Sequence, residues 1–135
     1  MSRKYTSYLA GILGLFLSGI GCGGTHRHPG YLDVAWDIVD SRTGQRMSCE
    51  WAGIAMVELA CRNIRTGEDI YSSFNCVDGG GISEPLPPSE YKVAFYAYDN
   101  NLNNPNPVAS YILPVAYPVY EDTTTQLPVI SFILP

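Results

Sequence analysis

Cys22 carries the clearest chemical prediction in this sequence, because its thiol follows a segment with the three parts of an export signal. Arg3-Lys4 supplies a basic start, and an apolar run over residues 8–21 follows. The small residues of Gly19-Ile20-Gly21 stand directly before the thiol. This arrangement predicts export and cleavage beside the small residues. The chemistry expected at Cys22 is acylation of its sulfur.

The segment resembles the bacterial lipoprotein signal, in which the residue after the cleavage site is a cysteine that receives a diacylglycerol and an N-acyl chain. Ile20 and Gly21 match that signal, whereas Gly19 stands where the family usually has leucine. The resemblance implies a signal peptide at residues 1–21 and lipid attachment at Cys22. Because each buried methylene contributes about 0.8 kcal/mol, several acyl chains on one residue would hold the protein on the bilayer.

Two alternatives remain for this segment: an uncleaved membrane anchor, and an ordinary cleaved signal in which Cys22 is one more secreted cysteine. The apolar run is shorter than the roughly 20 residues that cross a bilayer, and glycines interrupt it. By analogy with Gram-negative lipoproteins, Gly23 after the cysteine favours the outer membrane. Residues 22–29 would then form a tether that spans at most about 25–30 Å. We therefore expect an exported protein whose domain lies close to the envelope membrane.

Acidic residues outnumber basic ones by 13 to 8, which gives a net charge of −5. Removal of Arg3 and Lys4 with the signal would make the chain more negative. A surface of this sign repels phosphate backbones, so nucleic acid is not an expected partner. The remaining residues, 30–135, have the length of a single domain.

Apolar and polar residues alternate along much of residues 30–135, and no segment shows a convincing 3.6-residue period. The clearest case is Leu32, Val34, Trp36 and Ile38, which alternate with Asp33 and Asp37. Further strands are predicted at 46–49, 54–63, 70–76, 91–98, 108–113 and 127–134. The intervening turns and loops are predicted at 40–44, 65–68, 78–81 and 99–107. Short strands separated by turn signals predict an all-β, antiparallel two-sheet sandwich of about seven strands.

Residues 84–99, EPLPPSEYKVAFYAYD, resemble the strand entry of prealbumin-like and immunoglobulin-like bacterial modules. In those folds a leucine and a tyrosine fill the core where the chain enters a central strand. The resemblance implies that Leu86 and Tyr91 do so here, although Ser89 stands where the family usually has glycine. It implies a fold and carries no activity with it.

The three cysteines beyond Cys22 leave one thiol over after a single disulfide. Small envelope lipoproteins built on such a sandwich often carry one cysteine before the second strand and another at the end of the third. Cys49 and Cys76 match that pattern, so the resemblance implies a Cys49–Cys76 disulfide. Pairing of Cys61 with Cys76 is the alternative. If it is unpaired, Cys61 is expected to be a buried thiol that packs as a small hydrophobe.

Tyrosines provide the best candidate binding surface. Tyr96 and Tyr98 are expected on the strand face opposite Val93 and Phe95. Together with Tyr111, Tyr117 and Tyr120 they would form an aromatic surface able to stack on sugars or to cover a partner.

Metal binding and catalysis find little support in the sequence. His26 and His28 lie in the tether and are expected to be solvated. Asp99 and the asparagines after it offer oxygen atoms, but they lack the D-x-D-x-D-G order of a calcium loop. Glu121-Asp122 is likewise expected in a solvated loop. Both histidines fall outside the predicted core, and no G-x-S-x-G motif occurs, so no catalytic residues, metal or cofactor are predicted.

These observations predict a non-enzymatic, lipid-anchored module of the bacterial cell envelope with a structural or protein-interaction role. The membrane would be contacted through the lipid, and another envelope protein is the candidate partner. The alternative is a ligand-binding module for carbohydrate or calcium that uses the surface tyrosines or the Asn-rich loop.

Overall fold

The computed structural model describes residues 27–135, so Cys22 and the predicted signal peptide lie outside the described residues. The described chain contains nine strands, one short helix, α1, at Cys49–Ala52, and a 3₁₀ turn at Cys76–Asp78. The strands are β1 Tyr31–Asp40, β2 Met56–Asn63, β3 Asp69–Asn75, β4 Gly80–Ile82, β5 Ser89–Tyr98, β6 Ala109–Ile112, β7 Tyr117–Val119, β8 Thr124–Gln126 and β9 Ile130–Leu134. The all-β prediction is confirmed, with nine strands in place of about seven.

The strands form two sheets, which confirms the predicted sandwich. In the first sheet β1 pairs antiparallel with β4 and parallel with β8 and β9. In the second sheet the order is β3-β2-β5-β6, with β7 also paired to β5, and every pair is antiparallel. The parallel pairs differ from the antiparallel expectation because the chain crosses from the second sheet to the first between β7 and β8.

The core lies between the two sheets and is built by strand alternation. In β1 every second residue from Leu32 to Ile38 is buried, as the sequence pattern predicts. The second sheet contributes Val57, Leu59, Cys61, Tyr91, Val93, Phe95 and Ala97. The remaining residues of β2 and β5 therefore project from the outer face of the second sheet, where the candidate site lies.

Residues 46–49 were predicted as an edge strand, and this prediction is wrong for most of the segment. Arg46 forms only an isolated bridge with Val39. The chain then turns into α1, because Ser48 Oγ accepts a hydrogen bond from the Trp51 backbone N–H at 3.1 Å and caps the helix. Gly53, with φ at 73°, ends the helix in the left-handed conformation.

The predicted flexible corner at residues 78–81 holds for Asp78 and Gly79, which end the 3₁₀ turn, whereas Gly80 and Gly81 belong to strand β4, which pairs with β1. Gly81 pairs with Val34 of β1, and the Phe74 ring lies close to its backbone. A Cβ atom at position 81 would lie 2.5 Å from Phe74 Cε1, closer than real Cβ contacts. Glycine is therefore used here for close packing.

Leu86 and Tyr91 are both fully buried, which is what the resemblance implies. The Tyr91 O–H donates a hydrogen bond to the Pro87 carbonyl and so fixes the connection that leads into β5. Burial raises the pKa of Tyr91. This arrangement holds β5, the central strand of the candidate site, in register.

Candidate functional site

Tyr96 and Tyr98 project from the outer face of the second sheet, on the side of β5 predicted from the sequence. Both rings are half-buried. Tyr96 lies directly opposite Glu58 of β2, and the Tyr98 O–H donates to Glu58 Oε1 at 3.4 Å. Partial burial and the Glu58 carboxylate together raise the pKa of Tyr98. The Tyr98 phenol thus remains a neutral hydrogen-bonding group at physiological pH.

Tyr111 does not share this surface, contrary to the sequence prediction. Its partner across the β5–β6 pair is Phe95, whereas Tyr96 lies opposite Ser110. Directly opposite residues of an antiparallel pair project to the same face, so Tyr111 lies on the core side with Phe95. It is 38% exposed because β6 is an edge strand.

Tyr71, which the sequence analysis did not single out, takes the place expected of Tyr111. The register pairs Tyr71 of β3 with Ala60 of β2, Ala60 with Ala94 of β5, and Ala94 with Ile112 of β6. These four residues form a row across the sheet. The sheet surface is lowest at the centre of this row, because the alanine side chains there are only methyl groups. Tyr71 and Ile112 rise at its two ends and are 53% and 69% exposed.

A shallow, open depression of about 390 Å³ follows this row across the sheet. The Ala60 and Ala94 methyl groups form its floor, and Tyr71, Tyr96 and Ile112 form apolar walls. Aromatic faces beside a shallow floor can pack on one flat face of a ring-shaped ligand.

Charged groups form the remaining wall of the depression. Arg62 Nε and Nη2 donate to the two carboxylate oxygens of Asp69, each at 2.8 Å. These hydrogen bonds hold the pKa of Asp69 below its usual value. Lys92 lies directly opposite Arg62 on β5, and within residues 27–135 it forms no ion pair. Two adjacent cations therefore border the depression in a protein of net charge −5.

Cys49 and Cys76 form a disulfide, which confirms the pairing that the resemblance implied. It joins α1 to the 3₁₀ turn at Cys76–Asp78, with the two Cα atoms 6.0 Å apart. Cys61 is the free cysteine among the described residues and is buried, and burial raises the pKa of its thiol to about 12. The alternative pairing of Cys61 with Cys76 is therefore wrong.

Two large apolar side chains stand exposed beside this disulfide. Trp51 on α1 is 85% exposed, and Val77 in the 3₁₀ turn is 80% exposed. Glu50 and Asp78 are their sequence neighbours, and both are exposed. We name these four residues the distal surface, since they lie far from Gly30, where the described chain enters the sandwich.

The distal surface and Gly30 lie at different positions along β1. Gly30 exchanges two backbone hydrogen bonds of 2.9 Å with Leu86. Six residues later the Trp36 indole Nε1 donates to the Cys76 carbonyl at 3.2 Å. Six residues of extended strand span about 20 Å. The disulfide and its neighbours thus lie at the opposite end of the sandwich from Gly30.

The Asn-rich loop and the tether contain the remaining polar groups considered in the sequence. Asp99 Oδ1 accepts from the Asn101 backbone N–H at 2.9 Å, and Asp99 Oδ2 accepts from Asn104 Nδ2 at 3.2 Å. Both carboxylate oxygens of Asp99 thus stabilise the turns of their own loop.

His28 is not an isolated tether residue, because its Nδ1 lies 3.0 Å from both carboxylate oxygens of Asp122. Glu121 completes an exposed group whose donor atoms lie within 4.8 Å of one another. From the sequence, His28 and Glu121-Asp122 were predicted to lie in two separate solvated segments. Their proximity comes from backbone pairing, since Asp122 N donates to the Pro29 carbonyl at 3.1 Å.

Comparisons with known proteins assign neither a family nor a function to this chain. No protein-family model and no curated protein matches the chain. Among solved structures, a leucine-rich repeat protein from Bacteroides thetaiotaomicron VPI-5482 is similar, with 14% sequence identity and a TM-score of 0.47. The match covers 94% of this chain and 16% of that protein, and it carries no functional argument. No helix within residues 27–135 is long and apolar enough to cross a bilayer.

Proposed function

We propose that this protein is a bacterial envelope lipoprotein, held on the membrane by acyl chains at Cys22, that acts as a non-enzymatic protein-interaction module. The Cys22 signal supports the anchoring, and the distal surface supports the interaction. Exposure of Trp51 is the observation that carries the second part, because exposed tryptophan is costly in water and is enriched at binding hot spots.

The disulfide gives the distal surface the rigidity that a binding site needs. Trp51 is two residues from Cys49, and Val77 is adjacent to Cys76, so both positions are held by the same covalent link. A rigid surface loses less conformational entropy when it binds a partner.

The acidic residues of the distal surface indicate the chemistry of the partner. Glu50 and Asp78 flank the two apolar side chains and place negative charge at the rim. A complementary partner is an envelope protein that offers an apolar cleft edged by arginine or lysine. With a short tether at the opposite end, the distal surface would face away from the anchoring membrane.

Site-specific photo-crosslinking in the producing cells tests this function. A photoreactive residue replaces Trp51 or Val77 in the full-length chain, and a matched control replaces Ile133, which is 57% exposed on β9. We expect one discrete protein adduct from positions 51 and 77 and none from position 133. The adduct from position 77 should weaken in the Glu50→Lys, Asp78→Lys variant but not in a Glu68→Lys, Glu84→Lys variant.

Equal adducts from all three positions, adducts with lipid alone, or insensitivity to charge reversal at Glu50 and Asp78 would contradict the proposal. Near-ultraviolet circular dichroism of each purified variant verifies that the sandwich is folded.

A further inference from the structure

We infer that the depression on the outer face of the second sheet binds an acidic saccharide, with the sugar ring on the Ala60–Ala94 floor and its carboxylate at Lys92. This site is separate from the distal surface, and it depends neither on Cys22 nor on the proposed protein partner.

The apolar part of the depression fits one face of a pyranose ring. Sugars present a face of C–H groups that packs on aromatic side chains, while their hydroxyl groups need polar neighbours. Tyr71 and Tyr96 line the depression, and Ala60 and Ala94 keep its floor low between them. Glu58 lies directly opposite Tyr96, so a carboxylate stands close to the apolar wall and can accept hydrogen bonds from hydroxyl groups.

The cationic wall determines which saccharide is expected. Arg62 and Lys92 are directly opposite each other, and like charges in that relation destabilise a sheet. Asp69 compensates Arg62 through two 2.8 Å hydrogen bonds, whereas Lys92 is left without an ion pair in the described part of the chain. A ligand carboxylate would compensate Lys92 as Asp69 compensates Arg62, which a neutral sugar cannot do.

The geometry also limits the size of the ligand. The depression is open and crosses four strands from Tyr71 on β3 to Ile112 on β6. Neighbouring strands lie about 4.8 Å apart, so the row is roughly 14 Å long. That length holds two or three sugar units of a linear chain rather than an enclosed monosaccharide.

Titration of the full-length protein in detergent with a galacturonic acid trimer tests the inference. The matched control ligand is the same trimer with its carboxylates methyl-esterified, which keeps the ring and removes the charge. We expect saturable binding of the acid that is at least tenfold tighter than binding of the ester and that weakens as salt is added. Acetate at the same concentration should not compete.

Amino-acid substitutions test where the saccharide binds, and they distinguish the apolar contact from the charge contact. Tyr71→Ala should weaken both ligands, whereas Lys92→Gln should remove the preference for the acid by tenfold or more. Tyr120→Ala is the matched control, because Tyr120 is 62% exposed and does not line the depression. Thermal unfolding of each variant verifies the fold.

Absence of binding, equal affinity for acid and ester, competition by acetate, or an unchanged affinity in Tyr71→Ala and Lys92→Gln would each overturn the inference. None of these outcomes alters the crosslinking expected at the distal surface, so the two proposals fail independently.

Discussion

Arg62 and Lys92 face each other directly across β2 and β5, with their side chains on the outer face of the second sheet. Only Arg62 is compensated by a carboxylate among the described residues, through its hydrogen bonds to Asp69. The charge of Lys92 is therefore left uncompensated on the outer surface of a well-packed sheet.

Replacement of Lys92 by glutamine should stabilise the protein, because it removes one of two like charges that lie directly opposite each other on neighbouring strands. Urea unfolding at low and high ionic strength measures the effect, which should shrink as salt screens the repulsion. Lys92→Arg keeps the charge and should leave stability nearly unchanged. A Lys92→Gln protein that is less stable than the parent at low salt would contradict this view of the sheet surface.

Loss of the Cys49–Cys76 disulfide should destabilise the sandwich strongly. The bond joins residues separated by 27 positions, and the chain-entropy relation gives about 3.5 kcal/mol for a loop of that size. The Cys49→Ser, Cys76→Ser double variant measures this loss in urea, with Cys61→Ala, which buries no hydroxyl, as a control for replacement of a cysteine outside the disulfide. The double variant should also release α1 and change the fluorescence of Trp51. An unfolding midpoint equal to that of the parent would show that the disulfide has no stabilising role.

Cys61 should be chemically silent in the folded protein. Burial raises its pKa to about 12 from 9.0, so the native state favours the thiol. In a Cys22→Ser background, a disulfide reagent at pH 8 should label about one thiol per chain in urea and none in native buffer. Rapid labelling of the native protein would be inconsistent with a buried Cys61.

The raised pKa of Cys61 should make the free energy of unfolding decrease at alkaline pH. A pKa raised by folding contributes stability that is fully present below pH 9 and is lost as pH rises from 9 towards 12. Cys61→Ala should therefore show a shallower alkaline loss of stability than the parent. The pKa of Tyr91 is raised mainly by burial, which both proteins share, and in smaller part by the neighbouring Cys61, which only the parent retains. Identical alkaline slopes would exclude this role for Cys61.

Alanine at position 81 should destabilise the first sheet, since its Cβ would lie 2.5 Å from the Phe74 ring. Overpacking of this kind typically costs about 1–3 kcal/mol. Phe74→Leu in the same chain should recover part of the loss, and a double-mutant cycle measures the coupling between the two positions. Additive effects of the two substitutions would mean that the ring does not press on Gly81.

The long strands could be predicted from the sequence because their residues alternate between core and solvent. In β1 the alternation of Leu32, Val34, Trp36 and Ile38 identifies the buried face directly. Strand β4 was missed because Gly80 and Gly81 suggest a flexible turn unless the position of Phe74 is known. Helix α1 is only four residues long, too short for a helical period to be visible.

The candidate site was predicted only in part, because strand register cannot be read from one strand alone. The outward direction of Tyr96 and Tyr98 follows from alternation along β5. The choice between Tyr71 and Tyr111 depends on how β3 and β6 align with their neighbours, which local sequence does not determine. For the same reason, the opposition of Arg62 and Lys92 and the meeting of His28 with Asp122 emerge only in the folded chain.

Metabolic labelling with radioactive palmitate is the most direct test of the central claim, that this sandwich is held at an envelope membrane through Cys22. The account predicts that the full-length parent is labelled and sediments with membranes. The Cys22→Ser form should remain unlabelled and unprocessed, whereas a Cys61→Ser form should behave like the parent. An unlabelled parent, or a Cys22→Ser form that is labelled and processed normally, would contradict the account.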